Sequence, residues 1–450
     1  MTDRQRADAV YELLLERAGE RWVQPRKERV ARILTLLDDP QRTYRVVHIT
    51  GTNGKTSTAR MVESLLRAHG LRTGLFTSPH LKRFTERIMI DGEPVADAAV
   101  ADAWDEIEPF VGIVDAELSA AGDEPLTFFE LLTVLAFVAA ADAPVDVLVL
   151  EVGMGGSWDS TNTADGDVAV FAPIDMDHVD RLGDTIEAIA EVKSGIIKDG
   201  AAVVSAEQRP EAAAVLRRVA SEKGASIAFE GEDFGLSAQR LAVGGQMISI
   251  RGLAGEYADE YLPLYGAHQG HNAALAVVAV ESLIGGGVQR IAGDIITEGL
   301  QGATSPGRLQ LVGVAPTVIV DAAHNPHGAA ALAQSLADSF DFDEWGLVLG
   351  IFADKDTAGI VDTLLPAVAE VFATAPDSVR AADADAIADL VEARGRRAGV
   401  HPSLAEAVDA AREWASASER RAVVIAGSIV LAGEALLLSE EEDWKSGWRG

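Results

Sequence analysis

The sequence predicts an α/β protein of two domains: a P-loop-type domain built on a mainly parallel sheet, followed by a smaller Rossmann-like α/β domain. Three observations lead to this prediction. Short β-rich apolar runs alternate with stretches whose apolar residues have helical spacing. A glycine-containing turn joins one such run to a helix, and a second alternation begins after a segment rich in glycine, serine and proline. The length of 450 residues fits two or three domains.

The first domain is predicted from its N-terminus inward. Helical spacing of apolar residues indicates helices over residues 3–18 and 26–38, and the run RVVHIT at residues 45–50 indicates a strand. A turn and a helix over residues 55–69 complete a β-turn-α unit. Such alternation is typical of a parallel sheet with helices on both faces. Further strands are predicted at residues 145–151, 167–172 and 201–205.

A break in this pattern indicates the domain boundary. Glycine, serine and proline cluster in GLQGATSPG at residues 299–307. We therefore expect a first domain over residues 1–300, a linker at 301–306 and a second domain over 307–450. Residues 439–450, SEEEDWKSGWRG, are predicted to be a frayed acidic tail. The strands of the second domain are predicted at residues 318–321, 346–350, 371–373 and 422–426.

The charge balance limits the partners. The chain carries 38 Lys and Arg against 70 Asp and Glu, which gives a formal net charge of −32 at pH 7. Nucleic-acid-binding faces and anchors for anionic membranes need concentrated positive charge, so neither kind of partner is expected. The absence of cysteine excludes disulfides, thiol nucleophiles and Cys-ligated metal sites.

The sequence also bears on where the protein acts. Its first residues carry scattered charges instead of the apolar core of a signal peptide. The most apolar run, residues 131–141, is shorter than the roughly 20 residues that cross a bilayer. A cytoplasmic protein is therefore expected.

The strongest local signal is TGTNGKTS at residues 50–57, between a predicted strand and a predicted helix. In such a loop the backbone N–H groups cradle phosphates at a helix N-terminus, Lys55 neutralises the outer phosphates and Thr56 holds Mg²⁺. The strict Walker spacing fails, because its first glycine would fall at Ile49. The alternative is a glycine-rich turn with a solvent-facing lysine, which the strand–loop–helix context disfavours.

Acidic residues follow two other predicted strands. The run DVLVLEVGMGG places Glu151 at a strand end, where an unpaired buried carboxylate would be costly. A Mg²⁺ between Thr56, Glu151 and phosphate oxygens would neutralise it, although Glu151 alone is equally compatible with a rim position. The run APIDMDHVDRLG then places His178 among three aspartates, either as ligands for a second metal or substrate oxygen, or as helix caps and a structural histidine.

Lys193 stands among apolar residues in the next predicted helix, DTIEAIAEVKSGIIK. Such a lysine usually extends its ammonium group to water. If it is desolvated instead, its pKa falls and its amine becomes chemically available.

Eight short segments extend in order from about Val46 to Ala426: GTNGKTS, TSPHL, LTFFE, EVGMGGSWDSTN, DMDHVDRLG with EVKSGIIK, HQGHNAA, PGRLQ and DAAHNPHGA. This series resembles the dihydrofolate synthase/folylpolyglutamate synthase branch of the Mur ligase superfamily. Each segment alone is a weak signal, whereas eight in the same order are highly specific. The resemblance covers nearly the whole chain.

The resemblance implies an ATP-dependent carboxylate–amine ligase. It would join L-glutamate to dihydropteroate and to the γ-carboxyl of reduced folates through an acyl phosphate. Separately, we expect a monomer. ATP is then a substrate, two Mg²⁺ ions are expected and a monovalent cation is a further candidate cofactor. Motif by motif, the implied ATP-binding residues are Asn53, Gly54, Lys55, Thr56, Asn272 on the adenine side, Arg308 at the phosphates and Asp321 at the ribose.

The resemblance also implies a metal and catalytic site. Lys193 matches a lysine that is carbamylated in this superfamily, which converts a cation into a carboxylate-like ligand. The implied metal ligands are Thr56, Ser78, Glu151, His178 and Lys193, and the implied catalytic residues are Lys55, Lys193, His178 and His324.

Folate contacts are implied for two segments. The implied residues are Thr127, Phe128, Phe129, Glu130, Trp158, Asp159 and Ser160. Adjacent phenylalanines are more often helix core than a platform for a flat ring, and Trp158 and Ser160 depart from the residues expected beside Asp159. The family also presents the stretch before its second helix to the pterin, here around residues 22–25, without a sharp motif.

Three alternatives stay open. The first is a folylpolyglutamate synthase that lacks the dihydropteroate reaction; the presence of both LTFFE and the Asp159 segment favours the bifunctional enzyme. A cell-wall Mur ligase would normally place a nucleotide-sugar domain before the phosphate loop, which here begins by residue 51. A P-loop regulatory NTPase would need a guanine-reading Asn-Lys-x-Asp segment, which is absent.

Overall fold

The computed structural model describes residues 1–19 and 26–445, so the stretch 22–25 lies outside the described residues. The helices are α1 Asp3–Leu15, α2 Glu28–Leu36, α3 Lys55–Ala68, α4 Asp97–Ala120, α5 Phe128–Asp142, α6 Val179–Leu182, α7 Ile186–Ser194, α8 Pro210–Glu222, α9 Ala267–Gly285, α10 Gly293–Gln301, α11 Pro326–Ser339, α12 Thr357–Leu364, α13 Ala384–Glu392, α14 Leu404–Ser416 and α15 Ile429–Glu441. Short 3-10 helices lie at Pro40–Arg42, Phe84–Arg87, Ser160–Thr163 and Leu365–Ala367. Across the two described ranges, no helix is both long enough and apolar enough to cross a membrane.

Within the described residues, the strands form three sheets. They are β1 Arg45–Thr50, β2 Thr73–Phe76, β3 Ile88–Ile90, β4 Glu93–Pro94, β5 Val147–Glu151, β6 Val168–Phe171, β7 Ala202–Ser205, β8 Ser226–Phe229, β9 Gly235–Ala242, β10 Gly245–Arg251, β11 Glu256–Leu262, β12 Gln310–Val314, β13 Thr317–Val320, β14 Glu344–Leu349, β15 Glu370–Ala373, β16 Arg397–Val400 and β17 Arg421–Ala426. The strands predicted from the sequence are all present, with ends shifted by a few residues.

The first sheet has the order β4-β3-β2-β5-β1-β6-β7-β8. It is parallel from β2 to β8, and β3 and β4 add an antiparallel edge. Its central strands are almost completely buried, as expected where helices cover both faces. One apolar cluster lies between the sheet and α3, α9 and α10, and another lies between the opposite face and α1, α2, α4 and α5. The mainly parallel α/β fold is therefore confirmed.

The arrangement of β1 and β5 positions the functional residues. The two strands are parallel neighbours, and Ile49 pairs with Glu151 in their register. Because the carboxyl ends of parallel strands lie at the same sheet edge, the phosphate loop after β1 and the acid at the end of β5 meet there.

A small antiparallel sheet, in the order β11-β10-β9, interrupts the first domain and was not predicted. It is fixed to α9 through Glu281, which is fully buried. The Glu281 carboxylate accepts hydrogen bonds from the Leu253 N–H at 2.7 Å, the Ala254 N–H at 3.3 Å and the Tyr257 hydroxyl at 2.7 Å. One acid thereby satisfies two donors of the segment that joins β10 to β11 and one donor of β11 itself.

The second domain contains a sheet in the order β12-β13-β17-β14-β15-β16. In this order, the five strands from β13 to β16, including β17, are parallel to one another, and β12 runs antiparallel to β13. Helices cover both faces: α11, α12 and α13 pack on one apolar cluster, and α14 and α15 pack on another. This confirms the second, smaller α/β sheet.

The prediction of a frayed tail from residue 439 is wrong for its described part. Helix α15 continues to Glu441, and Trp444 is only 3% exposed within the cluster beneath α14 and α15. The Trp444 indole N–H donates to Glu442 at 2.8 Å, and the Arg412 guanidinium lies 5.2 Å from the ring centre. Burial of one large aromatic ring outweighs the acidic composition around it.

We expect Glu281→Ala to destabilise the protein by about 3 kcal/mol, because it leaves buried N–H and hydroxyl donors without an acceptor. Glu281→Gln keeps a side-chain oxygen and should lose less. The midpoint of urea unfolding measures both effects. Glu298→Ala, on the exposed face of α10, is the control and should change stability by less than about 0.5 kcal/mol. Equal stability of the Glu281→Ala variant and the wild type would contradict the anchoring role of Glu281.

Candidate active site

The phosphate loop, residues 51–54, connects β1 to α3. Gly54 has a φ of +85°, and a Cβ there would lie 2.7 Å from the Asn272 side-chain oxygen, so both conformation and space require glycine. Lys55 begins α3 and its Nζ donates to the carbonyl oxygens of Gly51 at 3.2 Å and Thr52 at 3.0 Å. The free N–H groups at the start of α3 thus lie beside a fixed ammonium group, which suits an anion.

Glu151 lies at the end of β5 and is 1% exposed. Its carboxylate accepts from the Thr56 hydroxyl at 2.9 and 3.0 Å and from the Ser78 N–H at 3.3 Å. Burial raises the pKa of Glu151, and the charge of Lys55 and the Thr56 hydrogen bond offset part of that rise. The structure therefore brings together three of the residues predicted to bind metal.

Lys193 on α7 is 4% exposed, so its ammonium group does not extend to water. Its Nζ donates to the Gly51 carbonyl oxygen at 2.9 Å, the same oxygen that accepts from Lys55. Burial, and then the nearby positive charge of Lys55, lower the pKa of Lys193 to about 7. A substantial fraction of the amine is thus neutral at physiological pH.

His178 begins the short helix α6 from a left-handed backbone conformation, with a φ of +48°. Its Nε2 lies 3.7 Å from Asp177 Oδ2, its side chain is 41% exposed, and partial desolvation lowers the pKa of its imidazole. Both residues line a small cavity together with Gly51, Lys55 and Lys193. His178 and Lys193 thus line the same cavity as the phosphate-loop residue Gly51.

The second domain contributes Asp321 and His324 after β13. Asp321 accepts from the N–H groups of Ala323 at 2.8 Å and Leu309 at 2.9 Å, and burial raises its pKa. His324 Nδ1 lies 2.9 Å from the Ala322 carbonyl oxygen, which can only accept, so Nδ1 carries the hydrogen and Nε2 is left as an acceptor. Burial lowers the pKa of His324 to about 4, which keeps its ring neutral at pH 7.

The positive charge of Arg308 acts on residues of both domains. Its positive charge offsets part of the pKa rise that burial causes at Glu151 of the first domain and at Asp321 of the second. It also contributes to the lowered pKa of His324. One arginine therefore acts on carboxyl groups from both sides of the cleft.

One hydrogen bond joins the phosphate loop to the second domain, and another joins α3 to the linker. The Asn53 amide lies 2.8 Å from His327 Nδ1, and the Ser57 and Ser305 hydroxyls lie 2.9 Å apart. Neither His327 nor Ser305 was predicted as a site residue. His327 lies in the DAAHNPHGA segment, but nothing in that motif indicates Asn53 as its partner.

The predicted pterin residues around α5 differ in exposure. Phe128 is 4% exposed and lies 6.2 Å from the Tyr11 ring, edge to face, so it is a core residue. Phe129 is partly exposed, and its ring covers Gly153 so closely that a Cβ there would lie 2.4 Å from it. Thr127 and Glu130 form a reciprocal capping box at the start of α5.

Trp158, Asp159 and Ser160 lie at the end of the loop that follows β5. Asp159 is 4% exposed and its carboxylate accepts from the Met154 N–H at 2.9 Å and from the Thr161 N–H and hydroxyl at 3.0 and 2.5 Å. Ser160 is also buried, whereas the half-buried Trp158 ring lies against Gly155. The polar groups of Asp159 are therefore occupied by the loop itself.

Histidine and carboxylate side chains alone do not make a metal site in the described part of the chain, since no group of three or more converges closely enough. A cation at Glu151 would need hydroxyl groups and substrate oxygens as further ligands. Mg²⁺, which prefers oxygen ligands and usually binds through one or two carboxylates plus phosphates, suits that set.

Comparisons with known proteins agree with this geometry. The family models "Mur ligase middle domain" and "Mur ligase, glutamate ligase domain" match residues 49–280 and 307–429. The dihydrofolate synthase/folylpolyglutamate synthase of Mycobacterium tuberculosis is 44% identical, with 95% of this chain and 93% of the relative covered.

Solved structures show the same similarity. Folylpolyglutamate synthase of M. tuberculosis complexed with ADP superposes with a TM-score of 0.91 at 43% identity, covering 97% of this chain and 99% of the other. E. coli FolC in complex with DHPP and ADP superposes with a TM-score of 0.84 at 31% identity, covering 97% and 98%. The chain belongs to the Mur ligase family, in its dihydrofolate synthase/folylpolyglutamate synthase branch.

Proposed function

We propose that the protein joins L-glutamate to dihydropteroate and to the γ-carboxyl of reduced folates, with ATP as the phosphoryl donor. The observation that carries this proposal is the convergence of Glu151, Thr56 and Lys55 at a phosphate loop that the second domain closes through Asn53–His327. The M. tuberculosis relative is named for both synthase activities, and the E. coli structure holds DHPP and ADP. These names favour the bifunctional reaction over polyglutamylation alone.

The chemistry requires activation of a carboxylate. A carboxylate does not react with an amine at neutral pH, because its leaving group would be oxide. Its oxygen therefore attacks the γ-phosphorus of ATP, the bond from that phosphorus to the bridging oxygen of ADP breaks, and an acyl phosphate forms. The neutral glutamate amine then attacks the carbonyl carbon, loses a proton and expels inorganic phosphate, which leaves an amide.

The residues of the cleft divide this work between the two domains. Lys55 and Arg308 offset the repulsion between the triphosphate and the incoming carboxylate. His324 is neutral at pH 7, so it is not a counter-ion for the phosphates, and its free Nε2 can accept a hydrogen bond or a proton beside them. The remaining proposed ATP contacts are Asn53, Gly54 and Thr56 at the phosphates, Asn272 at the adenine and Asp321 at the ribose.

Two Mg²⁺ ions are proposed on residues that fit them. The buried Glu151 carboxylate lies beside the Thr56 hydroxyl and the Ser78 backbone, while His178 and Lys193 share the adjoining cavity. Bound Mg²⁺ would supply charge neutralisation of the phosphates. Lys193 would become a ligand as its carbamate: the neutral amine attacks the carbon of CO₂, a nitrogen–carbon bond forms and one proton is released.

The pterin would bind beside α5. Phe129 is the proposed stacking surface, because its ring is partly exposed next to Gly153, and Trp158 borders the same loop. The buried Phe128 and the Thr127–Glu130 capping box would hold the start of α5 in place, and Asp159 with Ser160 would hold the opposite loop. Most of these residues would thus support the elements that form the folate site without contacting the folate directly.

The division of the chain follows the same proposal. Helix α10 ends at Gln301 and β12 begins at Gln310, which supports a linker at residues 301–306 between domains over 1–300 and 307–450.

We propose that the protein acts as a cytoplasmic monomer on small molecules, without nucleic acid or membrane partners.

The proposed function is tested by offering the purified protein ATP, Mg²⁺ and glutamate with either dihydropteroate or tetrahydrofolate, and by identifying products from their mass. We expect one added glutamate on dihydropteroate and further additions on the reduced folate. Product from tetrahydrofolate alone would leave the folylpolyglutamate synthase alternative. Phosphate release that needs neither glutamate nor a pterin would indicate a regulatory NTPase, and ligation to a nucleotide sugar would indicate a cell-wall Mur ligase.

We expect Lys55→Ala and Glu151→Ala each to reduce glutamate ligation at least about 100-fold, as loss of one charge-stabilising group does in other enzymes. Rates of product formation and circular dichroism spectra measure activity and folding. Glu298→Ala, on the exposed face of α10, should keep wild-type rates. Near-normal ligation by either soluble site variant would contradict the phosphate and metal assignment.

Lys193 is expected to carry about 44 Da of additional mass, one CO₂ bound as a carbamate, in the native protein. With ¹³C-labelled CO₂, a carbamate resonance should appear near pH 8 and weaken below about pH 7, because protonation removes the nucleophilic amine. Lys193→Ala should abolish the resonance. Lys198→Ala is the control, since Lys198 also has a lowered pKa, of about 8, but donates to Asn162 away from the phosphate loop. A resonance that persists in Lys193→Ala would refute the assignment.

A further inference from the structure

Residues 77–83, here called the serine loop, follow β2 in the first domain and extend into the second. Leu81 packs against the apolar cluster between the second sheet and helices α14 and α15. Two glycines leave room for it. A Cβ at Gly433 of α15 would lie 1.9 Å from the Leu81 carbonyl oxygen, and one at Gly307 would lie 3.3 Å from Leu81 Cδ1. Leu81 therefore occupies a notch formed by Gly307 and Gly433.

The serine loop is tied together internally. The Glu86 carboxylate accepts from the N–H groups of Leu81 at 3.0 Å, Lys82 at 3.2 Å and Arg83 at 3.1 Å. The Thr77 N–H donates to the Arg87 carbonyl oxygen at 2.9 Å. Both ends of the loop are thus fixed to one short helix.

The other end of the serine loop touches the reaction centre. The Ser78 N–H donates to Glu151 Oε2, the carboxylate that also accepts from Thr56. A continuous path of contacts therefore runs from Gly433, through Leu81 and the tied loop, to the buried carboxylate beside the phosphate loop.

We propose that Leu81 is a positioning residue for ligation: its seat in the Gly307–Gly433 notch sets the position of Ser78 over Glu151. The reaction centre is then complete only while the second domain holds Leu81. This inference rests on the proposed function. It assigns the effect to Leu81 and not to its neighbour Lys82, whose ion pair with Glu440 joins the same two elements but lies at the exposed rim.

The kinetic test compares Leu81→Ala, Leu81→Met and Lys82→Ala. We expect Leu81→Ala to lower kcat about tenfold or more while the KM values for ATP and glutamate stay within about threefold, because misplaced catalytic groups slow chemistry more than binding. Leu81→Met fills the notch and should restore kcat to within about twofold. Lys82→Ala should stay within about twofold as well, since exposed ion pairs contribute little.

Gly433→Ala provides a second variant at the other side of the contact. Alanine favours helix more than glycine, so a loss in this variant does not come from a weaker helix α15. We expect instead the same loss of kcat, because the new methyl group displaces the Leu81 carbonyl, and a double variant no worse than the worse single one. Normal kcat in Leu81→Ala, an equal loss in Lys82→Ala, or additive losses in the double variant would overturn the proposal.

A measurement without turnover separates this inference from the proposed function. In small-angle X-ray scattering with ADP, Leu81→Ala and Gly433→Ala should show a larger radius of gyration than the wild type and Lys82→Ala. Absence of glutamate ligation in the wild type would refute the proposed function, whereas the scattering would still test whether Leu81 holds the domains together. Identical radii for all four proteins would overturn the docking role.

Discussion

The burial of Glu151 is the constraint on which the arrangement of the cleft depends. A carboxylate that is 1% exposed must be compensated by donors or positive charge. The compensation comes from separate parts of the chain: the Thr56 hydroxyl on α3, the Ser78 N–H on the serine loop, and the charges of Lys55 and Arg308. One buried acid is thereby linked to α3 and the serine loop by hydrogen bonds and to the second domain by charge.

The elements near this acid could be predicted because their signals are local. Apolar runs defined β1 and β5, and a glycine-rich turn before Lys55 defined the phosphate loop. The small antiparallel sheet was missed because β9 is mostly exposed and lacks a continuous apolar run. The burial of Trp444 and the pairing of Asn53 with His327 depend on partners distant in sequence, which no local pattern encodes.

The adjacent phenylalanines show the same limit within one motif. The sequence predicts the same folate contact for Phe128 and Phe129, yet successive residues of a helix point about 100° apart. Tyr11 of α1 packs against Phe128, whereas Phe129 covers Gly153 after β5. Which ring remains accessible is therefore decided by the neighbours α1 and β5. The net charge of −32 is likewise a property of the whole chain, while Lys55 and Arg308 concentrate positive charge at the cleft.

The carbonyl oxygen of Gly51 accepts from both Lys55 and Lys193. Two ammonium groups on one acceptor repel each other, so the charge of Lys55 is part of the reason why Lys193 releases its proton readily. Any anion that draws Lys55 away from this oxygen changes the proton affinity of Lys193. By reciprocity, the protonation state of Lys193 changes the affinity of the loop for that anion. A buried lysine on α7 and the occupancy of the loop before α3 are thus thermodynamically linked through a single peptide carbonyl.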